Sequence, residues 1–335
     1  MKNTMIALGV CAALLPVTSS FAASPDFYGR MWLATSYSDN GLISARSTDG
    51  TVLENYASFL GIKGKEALTD KVNIIYVMEV GNEGGFYNSS ELFKPRNTYL
   101  GVEGGFGTFM FGRNDTVFKK TEGKVDLFNI TSSDMAALID GNARIGDTAT
   151  YYSPKIAGVQ FGATYQFADS AADSSGDYAL SAMLGDKALQ KTPYYAAIAY
   201  ADGLNQLDAY RAVVVAKLAG VNWGMLVQHA SSDKYDNLSG NSYLFSAAMP
   251  FGDYTAKLQY ARDNSGLGKV VKKVASLASV TDTDSYMVSA GVDVKLSKST
   301  TAGVIVSYLD GDVTDASGYQ EFDDTQLSVH LKYLF

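Results

Sequence analysis

The sequence predicts an all-β protein, an antiparallel transmembrane β-barrel of about sixteen strands. Three observations carry that reading. Segments of about ten residues alternate apolar and polar side chains along most of the chain, the pattern of a strand with one apolar face. The polar parity holds Arg30, Lys257 and Lys295 in mid-segment, which is tolerable where that face lines water and costly where it lines a core. The connections are short at one end and long and polar at the other, as in barrels that cross a membrane.

Taken in order, the chain opens on Met1-Lys2, an apolar run interrupted by Pro16, and small residues ending at Ala22. This reads as a secretory signal peptide over 1–22, with the barrel over 23–335. Cleavage there removes Cys11, the sequence's one cysteine, so the exported part cannot rely on disulfides. The formal charge of −8 argues against a nucleic-acid partner. A mean hydropathy of −0.02 fits a chain whose polar and apolar residues alternate and average out. With 22 Tyr and 16 Phe against 6 Pro, the composition favours extended structure.

Strands are expected at about 27–37, 55–65, 70–81, 96–104, 106–113, 147–155, 157–167, 176–185, 192–201, 209–218, 221–231, 241–250, 252–262, 284–296, 299–309 and 324–335. The clearest set Val159, Phe161, Ala163, Tyr165 and Phe167 against Gln160, Thr164 and Gln166, and Leu327, Val329, Leu331, Tyr333 and Phe335 against Gln326, Ser328, His330 and Lys332. An even count closes an antiparallel barrel without an edge, the last strand pairing with the first. Short connections fall at Ala157-Gly158, Ala219-Gly220, Phe251-Gly252 and Ser297-Lys298. Long ones are expected at 38–54, 82–95, 114–146, 263–283 and 310–323. A secreted β-sandwich or β-helix also alternates, but would not point lysine and arginine inward from mid-strand.

Several short motifs follow one another in a telling order: Tyr28-Gly29-Arg30, Leu60-Gly61-Ile62-Lys63-Gly64, Tyr99-Leu100-Gly101-Val102, Gly105-Phe106-Gly107-Thr108, Phe111-Gly112-Arg113-Asn114-Asp115-Thr116 and Thr150-Tyr151-Tyr152-Ser153-Pro154. Together with the final phenylalanine they resemble the general porins of Gram-negative outer membranes, over the whole chain after the signal. The resemblance implies a homotrimeric channel passing small hydrophilic solutes and ions by passive diffusion, with its third extracellular loop folded inward. It also implies that Phe335 and Tyr333 form a tag read by the outer-membrane assembly machinery.

The longest connection, 114–146, is too long to be idle in a compact fold. Ser132 or Ser133 could cap a short helix in it. By the resemblance, its acids Glu122, Asp126, Asp134 and Asp140 face a basic wall of Arg30, Lys63, Arg96 and Arg144 across a charged constriction, whose transverse field admits polar solutes and disfavours apolar ones. The sequence departs from the family at Phe59, where an arginine often stands.

Other candidates are weaker. His229 and His330 show no legible nucleophile arrangement, so no enzyme activity is expected. No histidine or cysteine pair has metal-ligand spacing, and the acids at 282–284 and 310–315 read as solvated loop ends, so no metal or other cofactor is expected. The run Lys269-Val270-Val271-Lys272-Lys273-Val274 could meet lipopolysaccharide, although a solvated basic loop is the plainer reading. The rival functions are a sugar-selective channel, which would show an aromatic track along the lumen, and a non-transporting barrel serving as adhesin or receptor.

Overall fold

The computed structural model describes residues 24–82, 84–87, 91–168 and 176–335; the expected signal segment lies outside them. One closed antiparallel sheet contains every strand. In chain order these are β1 (Asp26–Ser38), β2 (Gly50–Asn55), β3 (Phe59–Thr69), β4 (Val72–Gly81), β5 (Lys94–Gly104), β6 (Gly107–Asp115), β7 (Arg144–Tyr152), β8 (Val159–Gln166), β9 (Tyr178–Gly185), β10 (Tyr194–Asp202), β11 (Leu207–Leu218), β12 (Val221–Ser232), β13 (Ser239–Phe251), β14 (Tyr254–Asp263), β15 (Asp282–Lys295), β16 (Thr300–Asp315) and β17 (Gly318–Leu334). β1 closes the ring on β17, with Arg30 opposite Leu334 and Ser38 opposite Gln326.

β2 and β3 are two halves of one barrel stave. β1 pairs with β2 through Leu33–Ser38 and with β3 through Asp26–Arg30, so the seventeen strands make sixteen staves. The segment expected at 55–65 is therefore broken near its start. At the break Ala57 takes φ 50°, Tyr56 N–H donates to the Trp32 carbonyl (2.8 Å), and the Ser58 hydroxyl accepts from Trp32 N–H (2.9 Å). No main-chain group of Trp32 is stranded, so the interruption is cheap.

The parity read from the sequence sorts the two faces. Leu327, Val329, Leu331 and Tyr333 are exposed on the outside, whereas Gln326, Ser328 and His330 are buried inside. Tyrosines ring the outer face near the loop end: Tyr178, Tyr200 and Tyr210 touch in series, as do Tyr260, Tyr286 and Tyr308. Tyr200 and Tyr308 donate to Asp202 and Asp310 just beyond the ring (both 3.1 Å). Phe109 stacks on Tyr151, and Phe251 on Tyr254, near the other rim. Two aromatic belts bounding an apolar band mark the lipid-facing height of a membrane barrel.

One expected loop is absent. β16 and β17 run on through 310–323 and join at Ala316-Ser317, so that stretch is a hairpin standing above the tyrosine ring. Its Asp310, Asp312, Glu321 and Asp323 share the outward face, where lipid no longer selects apolar residues, while Val313 and Phe322 on the inward face are buried and the main-chain pairing continues.

Candidate pore constriction

The connection between β6 and β7 leaves the wall at a register shift between Gly112 and Asn114. Gly112 has φ +127°, a conformation that a residue with a Cβ rarely adopts, and a Cβ there would meet the Thr98 carbonyl oxygen at 2.5 Å. Thr116 then caps a single helical turn, α1 (Val117–Lys120), accepting from Lys119 N–H at 3.1 Å. The short helix expected at Ser132 or Ser133 is instead a 3-10 turn, Met135–Ala137, capped by Asp134.

The segment is fastened to lumen-parity groups around the ring. Leu127 N–H donates to Gln259 of β14 (2.8 Å), the Ser132 hydroxyl to Glu54 of β2 (2.6 Å), and the Tyr195 hydroxyl of β10 to the Thr121 carbonyl (3.0 Å). Ser133 meets Ser307 of β16 at 2.6 Å. The Asp140 carbonyl accepts from Arg211 of β11 and Gln228 of β12, both at 3.0 Å. Apolar residues of the segment, among them Phe118, Val125, Met135, Leu138 and Ile139, join the buried cluster. The connection between β14 and β15 docks on this face, with Val270 N–H donating to the Ala137 carbonyl at 3.0 Å.

The basic residues named from sequence meet on one side. Arg30 donates to the Ala57 carbonyl at 2.8 Å, and its guanidinium lies 5.2 Å from the centre of the Phe59 ring. Arg96 lies over the same ring at 4.7 Å and pairs with Glu79 at 3.4 Å. The ring that replaces the expected arginine thus carries two guanidiniums. Arg144 pairs with Asp115 and donates to Asn97, both at 3.0 Å. Lys63 sits farther along the wall, over Tyr28 at 4.9 Å.

Of the four acids expected opposite this wall, Asp134 borders the same opening as Arg96 and Arg144, whereas Glu122, Asp126 and Asp140 are not in its lining. Asp126 accepts from Phe128 N–H (2.9 Å) and Met135 N–H (3.0 Å). Glu122 accepts from the Asn129 amide at 2.7 Å. Both carboxyls are buried in the loop, and burial, with neighbouring carboxylates, pushes Glu122 well above the usual range and Asp126 up to about 7. Asp134 borders the opening, but its oxygens accept from Ile130 N–H (2.6 Å) and Ala136 N–H (2.8 Å). Asp140 accepts from Gly141 N–H at 2.6 Å and pairs with Lys272 at 3.3 Å. These carboxylates shape the loop, because short side chains beside a turn find main-chain N–H groups before they find a distant arginine.

The opening beside the loop, about 420 Å³, is consequently cationic: Arg96, Lys119, Arg144, Lys269 and Lys273 line it, with Asp134. Lys269 and Lys273 come from the basic run that read as a solvated or lipopolysaccharide-facing loop. Its lysines are exposed, as in a solvated loop, and Lys269 and Lys273 border the opening, with Lys273 donating to the Leu42 and Ser44 carbonyls at 2.5 and 3.2 Å. Lys119 also escaped the sequence reading, although Lys119-Lys120 follows Asp115 at helical spacing, and both lysines pair with that carboxylate at 3.0 Å. His330, which read as an isolated histidine, accepts from the Trp32 indole (3.2 Å) and lies 3.2 Å from Asp293, itself paired with Lys257 at 3.0 Å. Among the described residues no cluster has the composition of a metal site.

A sixteen-stave barrel with aromatic belts and a charged lumen limits the possible families to a few. The family model for the Gram-negative porin matches residues 7–314. The chain belongs to that porin family. Its place is therefore the outer membrane. It is 27% identical over 179 residues to the major outer membrane protein P.IB of Neisseria sicca, 51% of this chain and 48% of that protein; the match thus spans about half of that relative's length. Among solved structures, the anion-selective porin from Comamonas acidovorans superposes with a TM-score of 0.69 at 20% identity, over 93% of this chain and 99% of that one. The trimer form of OmpT from Vibrio cholerae gives 0.68 at 14%, over 94% and 100%. At these identities the two structures speak for the fold.

Proposed function

We propose that this porin forms a water-filled channel for passive diffusion of small hydrophilic solutes and ions, that it works as a homotrimer, and that it prefers anions. The observation that carries the preference is the cationic opening, in which Asp134 stands among five cations and its oxygens already hold main-chain N–H groups. Where water is confined, fixed positive charges raise the local anion concentration and lower the cost of an anion's entry. Trimer formation is supported by the family and by the trimeric form in which the Vibrio protein was solved. Phe335 and Tyr333 are proposed as the assembly tag, and the lipopolysaccharide layer as the surroundings of the long loops.

The test is the reversal potential of single channels in a salt gradient. Chloride preference is expected, with Arg96→Gln and Arg144→Gln each moving the potential toward the potassium value. A channel that stays equally selective in both variants would remove these residues from the conduction path. Well-folded protein that passes no current would sink the channel reading itself.

A further inference from the structure

Asp115 lines one of two cavities and pairs with cations that border both. The cationic opening described above lies on the loop side. A second cavity of about 360 Å³ lies toward the short-turn end, lined by Asn97, Asp115, Lys120, Tyr152, Gln160 and Lys187 among others. Lys119 and Lys120 both pair with Asp115, yet Lys119 borders the first cavity and Lys120 the second. Arg144 takes the same carboxylate, so Asp115 compensates one of three cations.

The fourth cation, Lys187, arrives from a different element. The connection between β9 and β10 spans 186–193, long for its end of the barrel, and it is ordered by its own side chains. Asp186 accepts from Ala188 N–H (2.9 Å), Gln190 N–H (2.9 Å) and Lys191 N–H (2.8 Å). Leu189 takes φ +57° and packs on the buried cluster. The result is a fixed turn that carries Lys187 into the lumen, 5.9 Å from the centre of the Tyr195 ring. No carboxylate pairs with Lys187 among the described residues. Burial, together with the charge of Lys120 nearby, pulls its ammonium down to about 8. A half-buried cation beside another cation lacks a counter-charge, and the cavity between them has room for one.

We propose that the cavity between Lys120 and Lys187 is a second anion-binding subsite, taking a small phosphate-type dianion on the short-turn side of Asp115. The dianion accepts from both ammonium groups, while the Asn97 and Gln160 amides with Tyr99 and Tyr152 supply neutral wall; the one carboxylate in the lining, Asp115, is outnumbered by its own partners Lys119, Lys120 and Arg144. The inference extends the anion-channel reading. In that reading an anion moves from the loop-side opening past Asp115 to Lys120 and Lys187, and the long turn holds the last station.

The test uses the full-length protein and inorganic phosphate, with Lys187→Gln as the variant and Lys191→Gln as the control, since Lys191 is exposed on the same turn. Calorimetry on folded detergent-solubilised protein reads binding without requiring conduction. Phosphate is expected to bind wild type and Lys191→Gln alike and Lys187→Gln about ten-fold more weakly, the loss of one charge-assisted contact. With sulfate as the probe, a dianion that does not titrate in this range, raising the pH from about 7 to about 9.5 neutralises Lys187 at constant ligand charge, so affinity should fall in wild type and stay level in Lys187→Gln. In bilayers, phosphate added on the short-turn side should reduce chloride current more in wild type than in Lys187→Gln. Equal binding in all three proteins, an equal loss in Lys191→Gln, or only an adventitious ion with no saturation overturns the subsite. Saturable, Lys187-dependent binding by protein that passes no current would keep the subsite and overturn the channel reading instead.

Discussion

At the scale of single residues, Phe59 changes what a missing arginine means. Sequence comparison counts it as one charge lost from the wall, but the ring's two neighbours make it a platform on which Arg30 and Arg96 are held at defined places. Each cation–ring contact is worth about 0.5–1 kcal/mol where water reaches it and more where it does not. Phe59→Leu should leave the charge count untouched and free both guanidiniums to move. The expected outcome is unchanged ion preference with noisier open-channel current, read in single-channel traces; a quiet variant would show that the ring only fills space. Asp134 carries the converse lesson. It was a natural choice for an acid facing the pore, yet both its oxygens hold main-chain N–H groups. Asp134→Asn is therefore expected to loosen the 3-10 turn more than it shifts reversal potential. The sequence could not separate these outcomes, because an aspartate beside a turn and an aspartate facing a pore are spelled alike.

At the scale of elements, the long segment is held by a few polar nodes. Glu54 is fully buried and accepts from Ser36 (2.6 Å), Ala45 N–H (2.7 Å), Tyr56 (3.0 Å) and Ser132 (2.6 Å), tying β1, β2 and the first loop to the segment. Glu54→Ala leaves those donors without an acceptor, at a cost of about 3–5 kcal/mol. Amide exchange at 128–140 should rise sharply in that variant and less in Glu54→Gln, which keeps an acceptor oxygen. Proton linkage acts on the same segment. The folded Asp126 carboxyl titrates near 7, above its unfolded value, so folding takes up a proton between about pH 4 and pH 7. Its contribution is complete below that window and lost as pH rises through it. Exchange at 126–135, corrected for its intrinsic pH dependence, should increase from pH 5 to 8 in wild type and remain flatter in Asp126→Asn. None of this was legible beforehand. The length of 114–146 and its richness in acids are visible in the sequence, but its partners Glu54, Tyr195, Arg211, Gln259 and Ser307 come from five distant staves.

At the scale of the whole molecule, the barrel was legible because one physical rule repeats along every stave: lipid on one parity, water on the other. The rule failed where its cause fails. Above the tyrosine ring the outward face of β16 and β17 meets water and carries acids, while Val313 and Phe322 pack inside, so 310–323 looked like a loop although the strands stay paired. At 56–58 the stave breaks without any loss of parity on either side. Closure, by contrast, depends on one close fit. Gly29 N–H donates to the Phe335 carbonyl at 2.9 Å, Phe335 N–H donates back at 3.2 Å, and the Phe335 ring covers Gly29. A Cβ on Gly29 would lie 2.5 Å from that ring and 2.7 Å from the Phe59 carbonyl oxygen. Gly29→Val therefore has to displace either the ring or the β1–β3 pairing at the seam. Phe335→Ala removes the ring and keeps both main-chain bonds. If the ring is an assembly tag, Phe335→Ala should yield less trimer on heat-modifiable gels while the trimers that form conduct normally, and Gly29→Val should lower the yield as well by disturbing the same contact. Wild-type yield from Phe335→Ala alongside a loss in Gly29→Val would assign the effect to seam packing, and the final aromatic would then be a closure residue with no role as a tag.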